Sequence, residues 1–175
     1  MTPASKLHPL TSTLAFAVLA VAVAALPAIC RAAGAGIELN DKSTATDVGL
    51  PAYPGASLHV DKDGDKGALN LSLWGGSLGF KLMLVKYTSP DPVDKIAGFY
   101  RDAMGRYGTV LDCSGPHATS TASSDKKVLT CNKDDKAESG GRLYKVGTPQ
   151  LQRIVSIKPV GGRIEFEMLK IETSQ

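Results

Sequence analysis

Apolar residues fall along this chain in several distinct patterns, and the patterns predict its elements. Leu69, Leu71 and Leu73 alternate with Asn70 and Ser72, the period-two mark of a half-buried strand. Phe80 to Tyr87 (FKLMLVKY) is apolar on both faces, with Phe80, Leu82 and Leu84 on one and Met83, Val85 and Tyr87 on the other. A strand with no clean polar side belongs in the middle of a sheet with cover on both faces. Val93, Ile96, Ala97, Tyr100 and Met104 then recur at three- and four-residue spacing and make the single stripe of an amphipathic helix. Asp91 is placed to cap that helix, Pro92 suits its first position, and Asp94 adds negative charge to its first turn. Arg101 and Arg106 suit its C-terminal end, and Gly108 can close it in a left-handed cap. Lys81 to Gly108 is therefore the unit around which the remaining elements are arranged.

The other segments read as sheet. Ser57 to Val60 and Ala68 to Trp74 are expected to form a hairpin, and Leu143 to Val146 a short strand. Thr109 to Cys113 and Val128 to Cys131 are expected as short strands flanking a loop rich in Ser, Thr, Ala and Gly. The clearest hairpin runs from Gln152 to Val160, turns at Gly161-Gly162, and returns from Arg163 to Ile171; the glycine pair allows the left-handed angles of a type I′ turn. Pairing across it sets Ile157 by Phe166 and Val155 by Met168 on one face, with Lys158 by Glu165 and Ser156 by Glu167 on the other. The expected fold class is α+β: an antiparallel sheet of about six to eight strands, curved or in two layers, with one main helix packed across it.

Leu14 to Leu26 (LAFAVLAVAVAAL) is unbroken by any polar residue, follows a start with one lysine (Lys6), and ends at Pro27 before Ala28, Ala32, Ala33 and Ala35. These are the regions of a secretory signal peptide, and the apolar run is short for a membrane span. Residues 1–32 are expected to be a cleaved leader, 33–50 an N-terminal arm anchored by Ile37, Leu39 and Val48, and 51–175 a single domain, periplasmic or secreted. Cys30 raises lipid anchoring as an alternative, but Leu26-Pro27-Ala28-Ile29-Cys30 is a poor lipobox. The formal charge of +3 comes from 20 basic and 17 acidic residues. Lys6 and Arg31 lie in the leader, so the exported part is near neutral. No basic cluster points to nucleic acid, and neither a cofactor nor a membrane span after cleavage is expected.

Candidate chemistry is sparse. Cys113 and Cys131 are the cysteines left after export, and in an oxidising compartment they are expected to form a disulfide; redox or zinc chemistry needs closer spacing or more ligands than His117 supplies. Asp61, Asp63 and Asp65 alternate like the opening of a calcium loop, but Lys66 stands where that loop needs glycine and Ser72 where it needs glutamate. A calcium-stabilised domain is accordingly a weak alternative to a solvated hairpin loop. Gly75-Gly-Ser77-Leu-Gly79 fits the letters of a serine-hydrolase elbow, which requires a strand turning into a helix; here the glycines lead into another strand. A small hydrolase using Ser77 is thus a second weak alternative.

Val48-Gly-Leu-Pro-x-Tyr-Pro-Gly-Ala56, Lys86-Tyr-x-Ser89 with Asp91, Phe99-Tyr-Arg, Gly108 and Leu111-x-Cys113 resemble a group of uncharacterised secreted bacterial proteins, over about Val48 to Ile171. These motifs mark strand ends, turns and helix packing, so the resemblance implies kinship and export but no catalytic residues. The expectation is a non-enzymatic cell-envelope domain that binds a protein, polymer or small ligand. Its candidate contacts lie at the tips: Tyr53 beside Pro54, Trp74 beside the glycine loop, and His117. Trp74 shares the outer face of its strand with Asn70 and Ser72, and is either a solvent-facing contact or a residue lying under the helix or the N-terminal arm.

Overall fold

The structure, a computed structural model, describes residues 34–60, 67–115 and 128–174. It contains an open antiparallel sheet of eight strands and two helices, in keeping with an α+β class. In chain order these are β1 (Gly36–Asn40), α1 (Ala45–Val48), β2 (Ser57–Leu58), β3 (Ala68–Gly75), β4 (Leu78–Ser89), α2 (Val93–Gly105), β5 (Leu111–Asp112), β6 (Arg142–Thr148), β7 (Leu151–Val160) and β8 (Arg163–Ser174). The order across the sheet is β1-β3-β4-β8-β7-β6-β5, with β2 paired to the far end of β4. The leader and Cys30 lie outside the described residues, as do Asp61, Asp63, Asp65 and His117.

The strand that is apolar on both faces is central, as its pattern demands: β4 pairs with β3 on one side and β8 on the other. The β7–β8 hairpin has the expected register, with Ile157 opposite Phe166 and Val155 opposite Met168, and both turn glycines have positive φ. Gly76 has φ 61 as the first residue of the two-residue β3–β4 turn, where a type II′ turn places glycine. Two expected pairings are different. Ser57 and Leu58 pair with Thr88 and Tyr87 of β4 rather than with β3. Leu111 and Asp112 pair with β6, and residues 128–131 form no strand. The partner of β3 on its outer side is β1, so residues 36–40, expected as an arm, extend the sheet.

Helix α2 buries Ile96, Ala97, Tyr100 and Met104, four of the five stripe residues, chiefly against β6 and β7. Pro92, not Asp91, occupies its N-cap position; the helix starts one residue later than expected because the Asp91 side chain is engaged elsewhere. The short α1 is closed by a capping box between Thr44 and Asp47 and by Gly49 at φ 84. Its C-terminal carbonyls are then tied to distant elements. The buried Arg153 donates to the Val48 carbonyl at 3.0 Å and lies 3.6 Å over the Tyr107 ring, whose hydroxyl donates to Gly49. A cation suits this end of a helix.

Residues directly paired across strands share a side, so the register sorts the sheet into two faces. One face, carrying Met83, Val85, Val155, Ile157, Phe166 and Met168, lies under the helices and holds the main core. The other carries Leu69, Leu71, Leu73, Leu82, Leu84, Leu169 and Ile171, all only half-buried. The leucine alternation of β3 therefore marks the face turned away from α2. The expected cover on both sides of β4 is present on one side among the described residues. Over β5, β6 and β7 that second face is covered by a satellite cluster of Cys113, Cys131, Leu143, Leu111, Ala137 and Ile154.

Cys113 and Cys131 are bonded, with Cα atoms 5.6 Å apart, at a sequence separation of 18. Lys145, buried on the same face, reaches Asp135 at 2.8 Å and fastens the segment that carries Cys131.

Two outcomes test this packing. The Tyr100 hydroxyl is buried and has no hydrogen-bond partner among the described residues. Burial pushes its ionisation above the ordinary tyrosine range. Tyr100→Phe should leave the unfolding free energy read from urea melts unchanged or raise it, by at most about 1 kcal/mol, whereas Ile96→Ala should lower it by about 2–5 kcal/mol. Reduction of Cys113–Cys131 should lower stability by about 3 kcal/mol, since the closed loop is of the length for which chain entropy gives that value. Alkylation of both cysteines without reductant would contradict the bond.

Candidate functional site

The three sequence-predicted contact residues are not brought together. Tyr53 is only 5% exposed and belongs to the core. Its ring meets Phe99 at 5.1 Å and Phe166 at 6.0 Å, edge to face, a geometry favoured by the ring quadrupoles. Its hydroxyl donates to Asp91 Oδ2 at 2.7 Å, and the Lys95 ammonium donates to the same oxygen at 2.9 Å. Burial, and then the Asp91 carboxylate, raises the ionisation of Tyr53. The hydrogen bond from Tyr53, followed by that from Lys95, holds the Asp91 carboxyl below its usual range. Tyr53-Pro54-Gly55 thus ties the loop before β2 to the start of α2. The aspartate that looked like a helix cap does this job instead.

Trp74 has a different setting. It is 48% exposed at the end of β3, paired with Gly36 on β1 and Gly79 on β4. A Cβ on Gly36 would overlap the indole, so glycine there lets the ring lie flat across β1. The next row on the same side is polar: Ser72, Lys81 and Glu172 pair in register across β3, β4 and β8. Trp74 does share a side with Asn70 and Ser72, but that side is the one that carries the helices, at an end they leave open. Around this strand end lies a groove of about 620 Å³, lined by Trp74, Ile37, Leu73, Leu78, Phe80 and Ser174 among others. Ile37 and Leu78 are 75% and 63% exposed.

Ser77 occupies the β3–β4 turn, exposed, between two strands and not at a helix start. His59 lies beside Lys86, where its backbone N–H donates to the Lys86 carbonyl at 2.9 Å; the ring stands 3.7 Å from Glu165. Nine residues of strand separate Ser77 from Lys86, roughly 30 Å at the rise of a β-strand. Ser77 and His59 therefore cannot share a proton. Among the described residues no group of three or more His, Cys, Asp and Glu side chains stands close enough to hold a metal ion. Among the same residues no helix is long and apolar enough to cross a membrane.

No protein-family model, curated protein or solved structure matches the chain.

The Tyr53–Asp91–Lys95 network carries a pH dependence with a definite sign. A carboxyl whose ionisation is lowered in the fold contributes stability at neutral pH that is lost as pH falls through the carboxylate range, below about pH 4. Asp91→Asn should melt earlier than the parent at pH 7, and the gap between them should narrow toward pH 2. Thermal melts across that range check it; a gap that stays constant contradicts the assignment.

Proposed function

We propose that this protein is an exported, non-enzymatic domain of the cell envelope that binds a small apolar or amphiphilic molecule, or the apolar end of a larger one, at the strand-end groove beside Trp74. The observation that carries this reading is the half-exposed indole laid over Gly36 at the rim of that groove. A volume of about 620 Å³ is within the range of ligand sites, and a mostly apolar lining with few polar groups is their usual character. Trp74 and Phe80 supply apolar area, while Thr173, Ser174 and, in the neighbouring row, Lys81 and Glu172 supply polar contacts that can orient a head group. The leader, together with a disulfide that suits an oxidising compartment, supports export. Among the described residues the turn at Ser77 has no histidine within reach and no helix N-terminus beside it.

Trp74 is the single tryptophan of the chain, so its fluorescence reports on the groove alone. The free protein should emit to the red of a buried indole and be quenched by iodide. Envelope extract passed over immobilised protein should leave bound material that Trp74→Ala fails to retain, and rebinding of that material should shield the indole from iodide. An indole already shielded in the free protein, or stoichiometric labelling of Ser77 by a fluorophosphonate probe, overturns the proposal.

A further inference from the structure

The sheet face turned away from α2 is laid out in rows. One row reads Leu39, Leu71, Leu82 and Ile171 across β1, β3, β4 and β8, and the next reads Leu69, Leu84, Leu169 and Ile154 across β3, β4, β8 and β7. Apart from Ile154, which touches the disulfide cluster, none of these belongs to either packed cluster of the described residues; Leu39 is 64% exposed. The apolar rows end at a charged one. Lys86 pairs with Glu167 on β8, 3.9 Å apart, followed by Ser156 on β7, and beyond them stand Thr88, Glu165 and Lys158. A monomer rarely leaves so continuous an aliphatic surface in water.

We infer that this face is the contact between two copies of the chain, packed sheet on sheet about a two-fold axis that runs along the strands between β4 and β8. Area supports a second copy. Strand spacing and rise give the open part of the face, from β1 to β8, a projected area of roughly 450 Å², before side-chain relief is added, against about 800 Å² per partner in a standard interface. That places the contact below the standard size, among weak and concentration-dependent interfaces.

Charge fixes the orientation. Rotation about this axis exchanges the β4 and β8 columns. Leu84 of one copy then meets Leu169 of the second, Leu82 meets Ile171, and Lys86 meets Glu167 twice over. An axis across the strands would instead press the charged row onto Leu73 and Phe80, leaving charges desolvated without partners, which is strongly unfavourable. The arrangement has an apolar centre and a charged rim, as a homodimer interface does. It goes beyond the Trp74 site: the indole is on the opposite side of the sheet, and the groove residues Ile37, Leu73, Leu78 and Phe80 stand on this face only at the strand end beyond the leucine rows.

Sedimentation of the purified protein between about 1 and 200 µM tests the contact over the range expected for an interface of this size. The dimer should populate as concentration rises, and Leu84→Lys, at a position half-exposed in the single chain, should weaken it at least tenfold while circular dichroism stays unchanged. Lys86→Glu and Glu167→Lys each break the pairing within their own chain and, as homodimers, set like charges against each other, so each alone should be monomeric. Mixed one to one they should associate, because the unlike charges then meet across the axis. A wild type that is monomeric at the highest concentration overturns the inference, as does a mixture that fails to associate. So does a monomer that binds vesicles of phosphatidylglycerol through this face. Trp74→Ala should dimerise normally, so failure of the dimer and failure of the groove can be told apart.

Discussion

One helix of 13 residues has to cover eight strands, and the rest of the molecule follows from that mismatch. Such a helix is about 20 Å long and 10 Å wide, whereas seven strands side by side extend roughly 30 Å. Helix α2 can therefore seal little more than β6 and β7, where its buried stripe lies. The remaining cover on that side is improvised from α1, which sits over β4 and β8, and from the loop around Tyr53. On the other side the cover is thinner still. A disulfide, the Lys145–Asp135 ion pair and a few apolar residues seal the β5–β7 end, and among the described residues the half-buried leucines from β8 to β1 belong to neither packed cluster. A small domain with so little helix cannot hide both faces of a sheet this wide.

Much of the local structure was legible because two independent signals agreed. In the β7–β8 hairpin, alternation and the glycine pair point to the same register, and a slip of one residue would have turned Phe166 and Met168 to the opposite side. In α2 the spacing of Ile96, Ala97, Tyr100 and Met104 is sufficient by itself. Pairing partners were less legible where the segments are short. Ser57-Leu58 and Leu111-Asp112 are two residues each, too brief for pattern to choose between neighbours, and both joined a longer strand nearby.

The face of β3 shows why alternation alone does not place a strand. Leu69, Leu71 and Leu73 say that one side is apolar, but the helix side is chosen by what β4 and β8 offer in the same plane. Met83, Val85, Phe166 and Met168 form a larger and more continuous surface with α2 than the leucines do, and they carry Ala68 with them. Arg153 and Tyr107 were illegible for another reason. Each looks ordinary in sequence, and their partners Val48 and Gly49 lie 105 and 58 residues away. The N-terminal stretch reads as an arm because its anchors are elsewhere in the chain: a capping box closes α1 locally, but a buried guanidinium holds its end.

The candidate sites inherit this division of the sheet. Trp74 is available because the helices stop short of the strand end, and Gly36 is the residue that lets an indole lie there without displacing β1. Tyr53, which has the better-looking loop, is spent on the core because its ring completes the aromatic cluster between α2 and β8 and its hydroxyl has a carboxylate to meet. The leucine face is bounded on one side by the disulfide segment and at one end by a row of charges whose signs balance. A surface whose charges balance within one row is complementary to its own image under a two-fold rotation, and few other apolar surfaces would meet that row without stranding a charge. The alternation that first looked like half a core is therefore best completed by another copy of itself.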